Sequence, residues 1–126
     1  MNGESLAQIR ELIPEDRLLR ALLNSKQLRD LHEAFLLRAD ERDSGLSVNF
    51  DCTPDECRSH FNRTYGVASL TVRLVLELEL QVVPDEPQHA NITGVPYKED
   101  DPARAEYLAD ELARRATLVD TGKRER

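Results

Sequence analysis

From Leu70 to Val82 an apolar residue stands at every second position: Leu70, Val72, Leu74, Leu76, Leu78, Leu80 and Val82. Strict alternation marks a strand with one face in a core, yet Leu70, Leu74 and Leu78 also satisfy a helical spacing. One strand of that length would run well past the usual ~5 to 6 residues, and Arg73 with Glu77 would pair across one helical turn. The run therefore predicts two elements, the second a strand over Leu78–Val83 closed by Pro84 and Pro87. His89–Thr93 (HANIT) predicts a short further strand ended by Gly94 and Pro96, and the alternating Leu46–Phe50 (LSVNF) predicts the first strand of the chain.

Helical signals flank these strands. Leu, Ala, Arg, Glu and Gln dominate the first forty residues. Pro14 suits a first helical position, with Glu15 and Asp16 at the positive end of the dipole. A helix from there would bury Leu18, Leu19, Leu22 and Leu23. Asn24 and Gln27 have the form of a capping box, which places a break near Asn24 before a further helical segment carrying Leu28, Leu31, Phe35 and Leu36. Thr53-Pro54-Asp55-Glu56 starts a short helix to about Phe61, and Asp101-Pro102 starts a final one with Tyr107, Leu108, Leu112 and Ala116 as its apolar stripe. The expected fold is α+β: N-terminal helices, a small mixed or antiparallel sheet and a C-terminal helix. One domain is expected over residues 1–120, with 121–126 a disordered tail.

Composition removes several function classes. The 126 residues hold 17 Lys and Arg against 24 Asp and Glu, a net charge of −7, which disfavours a phosphate-binding surface and hence nucleic acid. The five glycines stand singly and open no GxGxxG or GxxxxGK loop. No run reaches the ~18 apolar residues of a membrane span. The N-terminus also lacks the basic and apolar regions of a signal peptide, so a cytoplasmic protein is expected.

Two groups of residues carry chemistry worth naming. Cys52, Cys57 and His60 offer thiol and imidazole ligands of the kind zinc prefers, but the Cys-x4-Cys-x2-His spacing lacks the Cys-x2-Cys knuckle, so no metal and no cofactor is assigned. A Cys nucleophile would need a His beside it, a geometry the spacing does not specify. His89 and Asn91 lie on one face of a strand and present two hydrogen-bonding side chains at a sheet surface. The N-terminal helices also carry more Leu than a hairpin requires, and excess apolar surface points to a partner; Leu19 and Leu23 represent that face.

The pattern Leu46-Ser47-Val48, the apolar run to Leu80-Gln81-Val82, then His89-Ala90-Asn91-Ile92 with Gly94 and Pro96 and an Ala-rich last helix, resembles a group of small bacterial proteins without an assigned activity. The likeness covers roughly residues 44–118, and the HANI-x-G-x-P stretch carries most of it. In that group Gly commonly stands where this chain has Glu79, and no catalytic residues carry over. The resemblance implies a bacterial, cytoplasmic protein serving as a small partner in a multi-gene system, of the defence or toxin-related kind. The reading from sequence is thus a noncatalytic interaction protein, binding a protein partner or its own copy through Leu19 and Leu23 or through His89 and Asn91. The alternative is a small enzyme or zinc-binding protein using His89 and Asn91 or the Cys52, Cys57 and His60 cluster.

Overall fold

The computed structural model describes residues 9–61 and 64–120. Among them are six strands: β1 (Arg17–Leu22), β2 (Leu46–Asn49), β3 (Gly66–Thr71), β4 (Gln81–Glu86), β5 (His89–Thr93) and β6 (Thr117–Asp120). They form one sheet in the order β4-β5-β2-β1-β3-β6, antiparallel at every pairing. Five helices accompany it: α1 (Ser25–Arg29), α2 (Leu31–Ala34), α3 (Pro54–Arg58), α4 (Val72–Leu76) and α5 (Pro102–Arg115). The α+β class and the C-terminal helix are as the sequence predicts, and of the mixed and antiparallel alternatives the sheet is the antiparallel one. The tail expected beyond residue 120 lies outside the described residues. None of the described helices is long and apolar enough to cross a membrane.

The largest departure is at Arg17–Leu22, expected as helix and found as a strand. Leu18 and Leu22 enter the main core, whereas Leu19 and Ala21 enter a second, smaller one. A strand buried on both faces reads as a continuous apolar run, which helical spacing also fits. Pro14 opens no helix. Its carbonyl accepts from the Arg73 amide at 2.9 Å, and that of Asp16 accepts from the Val72 amide at 2.9 Å, tying the segment to the start of α4.

The alternating run divides into three parts rather than two. Its first residues end β3, Val72–Leu76 form α4, and the predicted strand begins three residues late, at Gln81. Leu78 and Leu80 remain buried in the turn between, where Glu79 adopts a φ of 63°. The caps are as expected. Thr53 Oγ1 accepts from the Glu56 amide while Glu56 Oε1 accepts from the Thr53 amide, and Asp101 caps α5, which opens on Pro102. Asn24 caps α1, but the Gln27 carbonyl oxygen turns to the Leu23 amide instead of back to Asn24. Helix α3 stops at Arg58, short of Phe61.

Alternation along the strands divides the sheet into two unequal faces. The main core lies on one, where Leu18, Leu46, Val48, Leu70, Ala90 and Ile92 meet Phe35 of the α2 end, Val75 of α4 and Leu108 and Leu112 of α5. On the other, α3 covers only the centre of β1 and β3, packing Cys57 on Leu19, Ala21 and Val67. The side chains of β2, β5 and β4 on that second face stay half-buried or exposed.

Candidate functional site

The uncovered part of the second face holds a chain of polar side chains set by strand register. Ser47 of β2 pairs with Asn91 of β5, and Asn49 with His89, so Ser47 and His89 are diagonal neighbours on one face. Opposite, β4 pairs Pro84 with Ala90 and Glu86 with His89, which leaves Asp85 as the extra residue of a bulge. A bulge re-aims a side chain, and here it turns the Asp85 carboxylate over β5. Asp85 Oδ1 lies 2.6 Å from His89 Nδ1, and Oδ2 accepts from Asn91 Nδ2 at 3.0 Å. On the other side of the ring, His89 Nε2 lies 2.6 Å from Ser47 Oγ.

The protons on this chain follow from the carboxylate. Burial opposes the charge on Asp85, but the hydrogen bonds from His89 and Asn91 outweigh it and hold its pKa below the ordinary value. An ionised carboxylate can only accept, so in the neutral ring the proton sits on Nδ1, Nε2 is the acceptor, and the Ser47 hydroxyl donates to it. That order of hydroxyl, imidazole and carboxylate activates a serine as a nucleophile. A cavity of about 280 Å³ opens beside Ser47 and His89, with His60, Phe61, Glu86 and Pro87 in its walls.

Of the residues singled out from sequence, His89 and Asn91 therefore meet, through Asp85. Ser47 and Asp85 went unrecognised because serine carries no spacing signal and a bulge is set by pairing.

The two cysteines stay near one another, with Cys52 packed against the small core that holds Cys57. Cys57 is enclosed beneath the sheet, its thiol directed at Asn49 Oδ1 3.6 Å away. Burial, with a smaller contribution from Cys52, pushes that thiol up to about 12. Cys52 is also raised, by burial and then by Glu56 and Asp51. Both cysteines are free thiols and stay protonated near neutrality, which makes them poor nucleophiles. Among the described residues no three His, Cys, Asp or Glu side chains are grouped to hold a metal ion.

Leu19 and Leu23 form no free helix face. Leu19 is 2 % exposed, inside the small core under α3, and Leu23 packs half-buried against the same cluster. The apolar surplus read as a free helix face is instead the filling of a strand with two buried sides.

His32 is a clasp between two helices. Its Nε2 lies 2.6 Å from Glu106 Oε1 and its Nδ1 2.7 Å from Asp110 Oδ1, fastening α2 to α5.

No family model, no curated protein and no solved structure matches the chain. The class that fold and site define is accordingly a structural one: an α+β protein whose six-stranded antiparallel sheet carries a Ser-His-Asp array on its half-covered face.

Proposed function

We propose that the protein is a small acyl-transfer enzyme of the hydrolase type, with Ser47 as nucleophile, His89 as general base and acid, and Asp85, steadied by Asn91, as the group that holds the ring. The observation that carries this reading is the pair of 2.6 Å contacts on the two nitrogens of His89. In the step this supports, Ser47 Oγ bonds to the carbonyl carbon of an ester as its proton passes to Nε2. The bond to the leaving alkoxide then breaks and His89 returns the proton to it. Water attacks the acylated serine in turn, giving its proton to Nε2, and His89 restores it to Oγ as the acid departs. The donor to the oxyanion is not the Ser47 amide, which already donates to Glu41 Oε2 at 3.0 Å.

The test is covalent labelling with a fluorophosphonate and mapping of the adduct by peptide mass spectrometry. The adduct is expected on Ser47, absent in Ser47→Ala, and formed at least about tenfold more slowly in Asp85→Asn, where the ring loses the acceptor that fixes its tautomer. An unlabelled wild type, or an adduct that survives Ser47→Ala, overturns the reading.

A second reading is the interaction protein, bound to a protein partner or to its own copy. It draws support from β6, an edge strand whose Leu118 and Val119 are 38 % and 39 % exposed, because an open apolar edge invites strand pairing. A bacterial cytoplasmic setting within a multi-gene system belongs to this reading and rests on the resemblance of residues 44–118. A strictly monomeric protein whose activity in cells tolerates Leu118→Lys would refute it.

A further inference from the structure

Arg20 and Glu41 form an ion pair deep in the fold, 1 % and 3 % exposed, with Glu41 Oε2 2.6 Å from Arg20 Nη1. Removing two charges from water is costly, and such a pair rarely adds net stability over apolar packing. Its position gives it another use. Strands β1 and β2 are paired at Leu19 and Asn49, so continuing the antiparallel register would set Ala21 opposite Ser47. The ladder does not continue there. Instead the Ser47 amide donates to Glu41 Oε2 at 3.0 Å, and the Ser47 carbonyl accepts from Arg20 Nη1 at 3.0 Å. Both backbone groups of Ser47 that face β1 are thus taken by the two halves of one ion pair.

The pair is itself anchored on both sides. Arg20 Nε donates to the Ala34 carbonyl at 2.7 Å, and Glu41 Oε1 accepts from the Arg38 amide at 2.9 Å. These contacts come from the segment between α2 and β2, so Ser47 is held to the loop that precedes its own strand as well as to β1.

We infer that Arg20 and Glu41 are positioning residues for Ser47: by replacing the missing rungs between β1 and β2, they hold the serine backbone so that its hydroxyl meets His89 Nε2. This rests on the reading of Ser47 as a nucleophile. Hydrogen bonds to charged groups are roughly twice as strong as neutral ones, and a hydroxyl displaced by a fraction of an ångström loses reactivity steeply. The ion pair touches neither His89 nor Asp85, so it sets the place of the hydroxyl and leaves the basicity of the ring alone.

The test compares wild type, Glu41→Gln and Arg20→Lys in fluorophosphonate labelling across pH, with the fold of each checked by circular dichroism. In parallel, the imidazole 15N resonances of His89 are recorded. In a folded Glu41→Gln protein, labelling is expected to slow at least about tenfold with an unchanged pH midpoint, and the Nε2 resonance to move as its bond from Ser47 weakens. Asp85→Asn should by contrast shift the midpoint. Arg20→Lys keeps the charge and the Glu41 bond to the Ser47 amide, so it provides the same comparison should Glu41→Gln fail to fold. A folded variant that labels at the wild-type rate, or one that slows only with a shifted midpoint, overturns the inference. If the wild type itself does not label, the nucleophile reading falls. The positioning role then stands or falls on the Nε2 resonance, with an unmoved signal in both variants refuting it.

Discussion

Replacing Arg20 and Glu41 together by apolar residues, as Arg20→Met with Glu41→Leu, should leave the protein markedly less stable than wild type, against the usual outcome for a buried ion pair. Glu41→Leu alone strands a guanidinium that is 1 % exposed, and breaking a buried pair in this way costs about 3–5 kcal/mol. For a chain of 126 residues that corresponds to a fall in Tm of roughly 10–20 °C. In many proteins the double apolar replacement then restores stability or raises it. Here it would leave the Ser47 amide and carbonyl, the Ala34 carbonyl and the Arg38 amide without the partners that now hold them at 2.7–3.0 Å. Each buried backbone group left unpaired costs about 1–3 kcal/mol, so the double variant should stay about 3 kcal/mol or more below wild type even after water reaches the outer groups. Glu41 also gives the pair a pH signature. Burial works against its charge, but the bonds from Arg20, with those from Arg38 and Ser47, hold its pKa below the ordinary 4.5; its contribution is full above that value and is lost as pH falls through the folded one. Urea unfolding followed by circular dichroism measures both variants against wild type. A double variant within about 1 kcal/mol of wild type would show that no backbone rung depends on the pair and would refute its positioning role.

The His32 clasp predicts a stability that rises toward acid. Burial lowers its pKa, but the hydrogen bond to Asp110 and the fields of Glu106, Asp110 and Asp30 raise it more, so the folded value lies above the ordinary one. The contribution is therefore complete below about pH 6.5 and lost as pH rises through the folded value, so the gap in Tm between wild type and His32→Gln should be wider at pH 6 than at pH 8.5, and an equal gap would refute it. Glu79→Gly should raise stability by about 0.5–1 kcal/mol, because the φ of 63° strains a residue with a Cβ more than glycine loses in unfolded-state entropy; urea unfolding reads it, and a fall would count against the strain. Gly45→Ala should destabilise by at least about 2 kcal/mol, since a Cβ there would stand 2.5 Å from the Ile92 carbonyl oxygen at a φ of 112°; a melting curve unchanged within error would refute it.

What the sequence shows and what it hides follow one physical line. Elements announced by local chemistry were legible: the Thr53 capping box, Asp101-Pro102 at the start of α5, and the alternations of β2 and β5. Elements defined by what packs on them were not. Strand β1 is buried on both sides, and its leucines meet helical spacing as well as strand packing. Strand β6 was not expected at all, and its two apolar residues, Leu118 and Val119, give too short a pattern to read.

The same division explains why half of the candidate site was found. His89 and Asn91 were visible as alternate residues of one strand, a property of sequence. Asp85 reaches them through a bulge and Ser47 through a diagonal across β2 and β5, relations that exist only once the register is set. Register here depends on burial. The apolar residues of β2, β5 and β4 that face the main core, Leu46, Val48, Ala90, Ile92 and Val82, admit no slip of one residue without exposing every one of them. Their neighbours on the opposite face are thereby placed without having to pack on anything, and α3 is short enough to leave them open. A polar array can occupy such a surface at little cost in stability, since the core on the far side holds its geometry. Ser47 is the exception that supports the point: beyond the Leu19–Asn49 pair, where β1 no longer pairs with β2, the core side supplies a buried ion pair to keep the serine in register.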